Sequence, residues 1–256
     1  MVQQNNINIS KDIIPKTIHY CWFGKGELPP LAKKCLKSWR KYLPDYKIIE
    51  WNEDNFDVNI CQYTKEAYNS KKYAFVSDYA RFWILYHYGG IYFDTDVEVI
   101  RSIEPIIRKG PFMGCEIKTD ETLWPKVACG LGIGVYKGHH IYKEILDHYN
   151  TSAFILNGTL DQTTVVNRVT EILKKHGLKQ TNAIQNCEDI IIYPPEFFCP
   201  MSHATRKITI TTNTYTIHHY DASWLKKNKL LNCLQKIFGY KFIEQIRRMN
   251  RSLKKN

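Results

Sequence analysis

The chain has 256 residues, 44% of them hydrophobic, which is enough apolar material for one α/β domain. No signal-peptide core and no apolar run of about 18 residues is present, so we expect a cytoplasmic chain that does not span a bilayer by itself. The eight cysteines lack Cys-x-x-Cys spacing, which indicates neither a zinc site nor a disulfide framework.

Predicted strands and helices alternate along the chain. The sequence predicts strands at residues 17–22, 47–51, 91–93, 112–115, 130–136, 190–193 and 215–218, and helices at residues 30–42, 74–88, 140–149 and 161–176. This alternation is typical of βαβ units and predicts an α/β fold with a mostly parallel central sheet.

The first predicted strand leads into a glycine- and proline-bearing loop at residues 23–30. In an open α/β sheet, ligands bind beyond the carboxyl ends of the strands. Trp22 stands at such an end, where its ring could stack on a nucleobase or pack into the core. Periodicity alone does not separate these two interpretations.

The predicted helix at residues 74–88 is apolar nearly all round, which indicates burial on most sides. It nevertheless carries Asp78 and Arg81, which share one helical face because they are three residues apart. Charges inside an apolar helix are costly unless they are paired or face a polar cavity. The pair is therefore either a structural ion pair or a set of ligands for the hydroxyls of a bound sugar.

Two carboxylates follow this helix directly. In residues 91–98, Ile-Tyr-Phe-Asp-Thr-Asp-Val-Glu, an apolar strand delivers Asp94 and Asp96, just after the glycine pair at residues 89–90. Side chains at i and i+2 leave the same face of an extended segment. Both carboxylates can therefore ligate one Mg²⁺ or Mn²⁺ that carries a phosphate ester. An acidic turn that caps the strand is the alternative.

The middle third is less informative. Residues 129–135 are glycine-rich but lack the spacing and the following helix of a phosphate-binding loop, so they predict a strand whose backbone closely approaches the substrate. Asp161 is the predicted N-cap of the helix at residues 161–176. Near the C-terminus, His218 and His219 are adjacent potential metal ligands, and only one of them can easily reach a given face of a strand. Two exposed histidines on an edge strand are the alternative.

The positive charge is concentrated at the C-terminus. Residues 225–256 contain ten Lys or Arg and one Glu, so this segment carries most of the net charge of +11. Apolar residues recur there at steps of three and four, which predicts an amphipathic helix interrupted near Gly239. Such a helix either lies on an anionic membrane surface or packs on the preceding domain with its basic face in solvent. No nucleic-acid-binding module accompanies the charge, so we expect no nucleic acid partner.

Three motifs, in this order, resemble the family 32 glycosyltransferases. Ser77-Asp78-x-x-Arg81, followed by Gly89-Gly90-x-Tyr92-x-Asp94-x-Asp96, is similar to the sugar-binding region of that family. Residues 14–24 are similar to its opening strand and residues 218–224 to its closing motif, so the resemblance spans about residues 13–224. The family includes bacterial capsule and lipopolysaccharide enzymes and fungal mannosyltransferases. The catalytic domains of the clostridial glucosylating toxins share its signature.

The resemblance implies a GT-A fold and a retaining reaction. It divides the chain into a catalytic domain at residues 1–224 and a basic amphipathic helical segment at residues 225–256. The catalytic residues are then Asp78, Arg81, Asp94 and Asp96. Asp94 and Asp96 would hold Mn²⁺ or Mg²⁺ with His219, which we prefer because the closing motif also resembles that of glycogenin-like transferases; His218 and Ser223 are the alternatives. The donor, a UDP-sugar above all, would contact Tyr20, Trp22, Gly24, Asp78, Arg81, Tyr92, Asp94, Thr95 and Trp224.

The sequence therefore predicts a metal-dependent transferase that moves a hexose or N-acetylhexosamine from a nucleotide sugar to a glycan acceptor. The expected setting is capsule or lipopolysaccharide synthesis at the cytoplasmic membrane face, where a lipid-linked acceptor would suit the basic tail. A haloacid-dehalogenase-like phosphatase is one alternative, because it also uses Asp-x-Asp with Mg²⁺, although it places that strand close to its N-terminus. A non-catalytic glycan-binding protein is the other.

Overall fold

The computed structural model describes residues 13–117, 124–202 and 205–221. The strands are β1 Thr17–Cys21, β2 Lys47–Trp51, β3 Gly90–Tyr92, β4 Val97–Val99, β5 Phe112–Glu116, β6 Lys126–Val127, β7 Ile133–Val135, β8 Ile155–Leu156, β9 Thr159–Leu160, β10 Gln185–Cys187, β11 Ile190–Tyr193 and β12 Thr216–His218. The helices are α1 Pro30–Tyr42, α2 Gln62–Asn69, α3 Tyr73–Tyr88, α4 Glu104–Ile107, α5 His140–Asn150, α6 Val165–Lys175 and α7 Pro195–Phe198. The expected tail at residues 225–256, Ser223 and Trp224 lie outside the described residues.

The central sheet has eight strands in the order β10-β11-β5-β7-β3-β1-β2, with β6 paired to β5. Strands β2, β1 and β3 pair in parallel, as do β5 and β11, whereas β7 is antiparallel to both of its neighbours. Strands β1, β2, β3, β5 and β11 therefore run in one direction, which confirms the predicted α/β class with a mostly parallel sheet. Their carboxyl ends define one edge of the sheet, which we name the carboxyl edge.

A hydrophobic layer covers each face of the sheet, because successive side chains of a strand point to opposite faces. Cys21 and Tyr92 belong to the layer that contains α2, α3, α5 and α6, whereas Ile18 and Ile91 belong to the layer that contains α1. Helix α3 lies within the first layer against β1, β3, β7, α2 and α5, so it is buried on most sides, as its sequence predicts. None of the described helices is long and apolar enough to cross a membrane.

The chain passes from α3 to β3 through two glycines. Gly89 (φ 66°) ends the helix with its N–H donated to the Leu85 carbonyl, and Gly90 (φ 103°) begins the strand. A Cβ on Gly90 would lie 2.7 Å from the carbonyl oxygen of Thr17 on β1. Both positions need the left-handed backbone, which glycine adopts at no steric cost. This connection carries the chain from the buried helix straight into the sheet and so brings the two aspartates to the carboxyl edge.

The predicted start of the helix at Asp161 is wrong. Helix α6 begins at Val165, and its N-cap is Thr164, whose side chain accepts the Asn167 N–H at 3.3 Å. Asp161 instead accepts the Thr163 N–H at 2.9 Å, which folds the residues before the helix into a turn. The other carboxylate oxygen of Asp161 pairs with Arg168.

A buried histidine predicts a loss of stability in weak acid. His19 on β1 accepts the indole N–H of Trp51 at Nδ1 (3.0 Å) and lies 3.0 Å from the Gly89 carbonyl oxygen at Nε2, and burial lowers its pKa from 6.5 to about 4. Between these two pH values the unfolded chain binds a proton at His19 and the folded protein does not. The contribution of neutral His19 to the free energy of unfolding is therefore complete above pH 6.5 and is lost as the pH falls towards 4. We expect a loss on the order of 3 kcal/mol in the free energy of unfolding, measured by urea denaturation.

The control for this prediction is His19→Asn, which keeps an acceptor for Trp51 but does not titrate. The free energy of unfolding of the variant should fall less steeply than that of the wild type over the same pH range. Equal slopes would contradict the assignment of the acid sensitivity to His19.

Candidate active site

The two predicted metal-binding carboxylates lie in a turn, not in an extended strand. Strand β3 ends at Tyr92, and the next strand begins at Val97, whose N–H is donated to the Asp94 carbonyl at 3.1 Å. This hydrogen bond closes a turn that contains Asp94, Thr95 and Asp96, which we name the DXD turn. The prediction that both carboxylates lie in an extended segment is therefore wrong, and the alternative of an acidic turn after the strand describes the backbone, although both side chains still converge on one point.

Asp94 is fixed by three neighbours. Its N–H is donated to the Gly130 carbonyl at 2.9 Å, which places it beside the glycine-rich segment. Its Oδ1 accepts the Tyr92 hydroxyl at 3.1 Å and lies 3.4 Å from Nη2 of Arg81. The side chain remains 32% exposed, so its carboxylate is held in place and still accessible to a ligand.

Arg81 connects helix α3 to the DXD turn. Its Nη2 lies 2.8 Å from Oδ1 of Asp78, its Nε donates to the Ser77 carbonyl at 3.1 Å, and its guanidinium lies 4.9 Å from the centre of the Tyr92 ring. Burial raises the pKa of Asp78 to about 6, although the neighbouring Arg81 opposes this rise. The Asp94, Tyr92 and Asp78 groups outweigh burial and raise the pKa of Arg81 above its usual range. A single buried cation thus bridges two carboxylates from different elements.

Loss of this cation should be strongly destabilising. Arg81→Gln would remove the cation that bridges Asp78 and Asp94, and breaking a buried ion pair in this way costs about 3–5 kcal/mol. Urea denaturation should show this loss. The loss should be smaller when Arg81→Gln is made in an Asp78→Asn background, and equal losses in the two backgrounds would contradict the proposed bridge.

Asp96 faces the last described strand. Its Oδ1 lies 3.2 Å from Nε2 of His218, and its Oδ2 accepts the Asp221 N–H at 2.8 Å. Burial opposes its ionisation, but the His218 imidazole and the Asp221 N–H together lower the pKa of Asp96. His218 and Asp221 of the closing motif therefore hold Asp96 in its ionised form. This motif was predicted to lie near Asp96.

The structure places His218, and not the preferred His219, beside the two aspartates of the DXD turn. Strand β12 pairs antiparallel with β4, with His218 opposite Val97, so His218 points towards the DXD turn. His219 points elsewhere because adjacent residues face opposite sides, and its Nε2 lies 2.8 Å from Oε2 of Glu98. Burial lowers the pKa of His218, but Asp96 outweighs burial and raises it to about 10.

Asp94, Asp96 and His218 form a donor set that suits a divalent cation. One ligand atom from each lies within 4.8 Å of the other two. Carboxylate oxygens are the preferred ligands of Mg²⁺, and an imidazole nitrogen is a good ligand for Mn²⁺ and related metals. The residues present therefore fit the cation that the motif predicts.

The opening segment reaches the carboxyl edge. Of its residues that were predicted to contact the donor, Trp22 lies at this edge and Tyr20 lies in the core. Trp22 follows β1 there, half-buried, and its indole N–H is donated to the Gly26 carbonyl at 2.6 Å. Tyr20 does not reach the DXD turn, since it is buried against Trp39 and its hydroxyl donates to Glu50 at 2.6 Å. Tyr20 thus packs in the core, and its contact with a donor stays a prediction.

Both the backbone conformation and the packing around Gly24 require a glycine. Its φ of 96° lies in the left-handed region, and a Cβ there would lie 2.4 Å from the Tyr73 ring. Its N–H is donated to Glu53 at 2.7 Å, which ties the loop after β1 to the loop after β2. Thr95 lies in the DXD turn and is partly exposed, whereas Tyr92 is fully buried and contacts the site through its hydroxyl.

Gly130 is a site residue that the sequence analysis missed. A Cβ on this residue would lie 1.8 Å from Oδ2 of Asp94, so only glycine leaves room for that carboxylate. The glycine-rich run predicted a close backbone approach to substrate, but here the close approach is to Asp94. The run of glycines was the available signal, and only the pairing of chain segments shows which group it accommodates.

Comparison with known proteins agrees with this geometry. Residues 29–113, which contain Asp78, Arg81 and the DXD turn, match the family described as "Glycosyltransferase sugar-binding region containing DXD motif". This match covers about a third of the chain, and it is the part that contains the DXD turn. The resemblance predicted from the sequence motifs is thereby confirmed over these residues.

Two curated yeast proteins illustrate the similarity. Over 102 residues the chain is 33% identical to "Inositol phosphoceramide mannosyltransferase 3" of Schizosaccharomyces pombe, which covers 37% of this chain and 27% of that protein. Over 239 residues it is 25% identical to "Mannosyl phosphorylinositol ceramide synthase CSH1" of Saccharomyces cerevisiae, which covers 89% of this chain and 60% of that protein. The chain thus spans less than two thirds of the length of either relative.

Two solved structures are also similar. "PaToxG Glycosyltransferase" aligns with 65% of this chain and 71% of its own at 17% identity and a TM-score of 0.47. A glycosyltransferase described as involved in glycosylation of the major capsid of PBCV-1 aligns with 79% of this chain and 92% of its own, at 14% identity and a TM-score of 0.47.

Proposed function

We propose that the protein is a metal-dependent glycosyltransferase that uses a nucleotide-sugar donor. The observation that carries this proposal is the convergence of Asp94, Asp96 and His218 at the carboxyl edge of the sheet. Both aspartates lie within the region that matches the DXD glycosyltransferase family. A divalent cation held by these three residues would neutralise the charge that develops on the leaving diphosphate, without any protonation step.

The residues around the DXD turn prepare it for the donor. Arg81 and the Tyr92 hydroxyl hold Asp94, and the Asp221 N–H holds Asp96, so neither carboxylate has to reorganise when the donor binds. We assign Asp78 and Arg81 to orienting the donor sugar because they lie beside the turn. Trp22 is our candidate for stacking on the nucleobase, since it lies at the carboxyl edge and its indole N–H is anchored to Gly26.

Two sets of similar proteins favour different donor sugars. The resemblance to the toxin domains favours a UDP-hexose or UDP-N-acetylhexosamine, and the resemblance to family 32 implies a retaining reaction on a GT-A fold. The printed names of the yeast relatives instead favour mannose as the sugar and a lipid that contains inositol phosphate as the acceptor. We therefore propose transfer of a hexose or an N-acetylhexosamine, and a donor panel identifies the nucleotide and the sugar.

The same relatives suggest the acceptor, and the charge of the C-terminal segment suggests the location. A glycan of capsule or lipopolysaccharide synthesis is the acceptor that the bacterial members of the family suggest, and a glycolipid is the one that the yeast names suggest. Both acceptors can be presented at a membrane surface. The basic character of residues 225–256 supports peripheral binding to anionic lipid on the cytoplasmic face.

The deciding experiment is a donor panel with and without metal. UDP-glucose, UDP-galactose, their N-acetyl forms and GDP-mannose are each incubated with the protein in Mn²⁺, in Mg²⁺ or in EDTA, and nucleotide release is measured. We expect one donor to be hydrolysed only with metal, and the same donor to raise the melting temperature, since a ligand at 100 times its dissociation constant adds about 2.7 kcal/mol of apparent stability.

Two further measurements, made beside the donor panel, separate the alternatives. Phosphate release from an aryl phosphate without turnover of any nucleotide sugar would indicate the phosphatase. Glycan binding by calorimetry, without metal-dependent affinity for a nucleotide sugar, would indicate the non-catalytic protein. Either outcome would overturn the proposed function.

A further inference from the structure

A second cluster of imidazoles and carboxylates lies on the opposite edge of the sheet from the DXD turn. His139 and His140 follow the carboxyl end of β7, which runs against β3, and Glu188 precedes the amino end of β11. His176 caps the C-terminus of α6. The cluster therefore joins α5, α6 and the β10–β11 hairpin, and the proposed transferase mechanism uses none of its residues.

Glu188 lies between two imidazoles. Its Oε2 is 2.6 Å from Nε2 of His140, and its Oε1 contacts Nδ1 of His176. Nε2 of His176 is in turn 2.6 Å from Oε2 of Glu144. The three groups His140, His176 and Glu188 each offer one ligand atom, and these atoms all lie within 4.8 Å of one another.

The surrounding structure holds Glu188 in place. It occupies the two-residue turn of the β10–β11 hairpin with φ 53°, a left-handed conformation that is uncommon for a residue with a side chain. The thiol of Cys187 donates to the His176 carbonyl at 3.1 Å, which fastens the hairpin to the end of α6. The turn and the helix terminus are thus kept together independently of the imidazole contacts.

The beginning of α5 is held in a similar way. His139 is the N-cap of α5, and its Nδ1 accepts the Ile141 N–H at 3.2 Å. Its Nε2, which is then the protonated nitrogen, donates to Asp189 at 3.0 Å, and Asp189 also accepts the Tyr136 hydroxyl at 2.7 Å. His139 is therefore committed to structure, and the next residue, His140, is left with its Nε2 directed at Glu188.

We propose that His140, His176 and Glu188 form a binding site for Zn²⁺ or a similar borderline divalent metal, with Glu144 beside it. Two imidazoles and one carboxylate are the donors that zinc takes in three-ligand sites, with water in the fourth position. Ligand atoms at zinc distances of 2.0–2.2 Å lie roughly 3.4 Å apart in a tetrahedron, so small side-chain rotations suffice here. The cysteine spacing indicated no zinc site, and this cluster contains no cysteine.

A salt-bridge cluster is the competing explanation. It needs a proton on each ring nitrogen that faces a carboxylate, and both nitrogens of His176 face one, so this residue would have to be a cation. Glu188 and Glu144 accordingly raise the pKa of His176. A bound metal would instead be coordinated by two neutral imidazoles and the carboxylate. It also cross-links three elements, so it binds the folded state and raises the melting temperature.

The test separates this site from the DXD turn. Asp96→Asn removes a ligand of the candidate active site, and ZnCl₂ is then titrated into this variant by calorimetry. We expect about one equivalent to bind and the melting temperature to rise. His140→Ala and His176→Ala, each in the same background, should weaken zinc binding at least tenfold, as a site that loses one of three protein ligands would.

His87→Ala is the matched control, because His87 is exposed and packs only against aromatic rings of its own helix in the described contacts. It should bind zinc like the Asp96→Asn parent. Circular dichroism checks that each variant is folded. Absence of zinc binding in the Asp96→Asn protein, or unchanged binding after both histidines are replaced together, would overturn the proposal. Donor hydrolysis with Mn²⁺ should be unaffected by His140→Ala, so failure here is distinct from failure of the proposed function.

Discussion

Replacement of Asp96 by asparagine is expected to reduce metal-dependent donor hydrolysis by about 10³-fold without unfolding the protein. Asparagine has the same shape, and its side-chain oxygen can still accept the Asp221 N–H, which lies 2.8 Å from Oδ2 of the native residue. It removes the negative charge that a divalent cation needs, and such a cation contributes several kcal/mol of transition-state stabilisation, about 4 kcal/mol for this loss of rate. Initial rates of nucleotide release in Mn²⁺ measure the effect, and thermal melting monitors the fold.

Glu98→Gln is the matched control for this variant. Glu98 lies two residues along the chain from Asp96 and faces His219 at 2.8 Å, much as Asp96 faces His218. It also pairs with Lys34, and it is not among the residues that converge on the proposed cation. Its substitution removes the same charge and should leave the rate unchanged. An active Asp96→Asn protein, or an equal loss in both variants, would contradict the metal assignment.

Gly130→Ala is expected to lower activity by about 10²-fold through displacement of Asp94. The added Cβ would lie 1.8 Å from Oδ2 of Asp94, so the carboxylate has to move or the segment that carries Gly130 has to shift. A misplacement of about 1 Å in a positioned group can cost 10²-fold in rate. Donor hydrolysis at several Mn²⁺ concentrations measures the effect, and we expect weaker apparent affinity for the metal together with the lower rate.

A double-mutant cycle with Asp94→Ala tests the cause. If the clash with Asp94 accounts for the effect, Gly130→Ala destabilises the wild type but has little effect on stability when Asp94 is already alanine. Urea denaturation of the four proteins gives the coupling free energy. Equal destabilisation in both backgrounds would show that Gly130 acts through the backbone and not through the carboxylate.

The sequence predicted the parts of the site that depend on local spacing. The interval of three residues placed Asp78 and Arg81 on one face of α3, and the structure joins them at 2.8 Å. The bounds of α1 at Pro30–Tyr42 and of β2 at Lys47–Trp51 agree with the apolar periodicity. Residues close in sequence determine this periodicity, because the buried face of a helix or a strand needs apolar residues at a regular spacing. The motif order then identified the DXD region before any contact was known.

Other features depended on residues that are distant in sequence. The closure of the DXD turn and the contact between Asp94 and Gly130 arise where β3 lies beside the chain that leads into β7. The choice of His218 over His219 depends on the antiparallel register of β12 against β4, since a shift of one residue would exchange their faces. Strand β4 is distant from β12 in the sequence, so no local pattern around His218 shows which strand it pairs with.

The composition, the helix periodicity and the three motifs of the sequence by themselves determined the α/β class and the region that resembles the DXD glycosyltransferases. Only the tertiary structure decided which imidazole joins Asp94 and Asp96, that Tyr20 packs in the core, and that Glu188 meets two histidines at the opposite edge. Periodicity records which face of an element is buried, whereas a site requires side chains from separate elements to meet within a few ångströms. That meeting is set by sheet order, strand register and packing, which are properties of the folded chain as a whole.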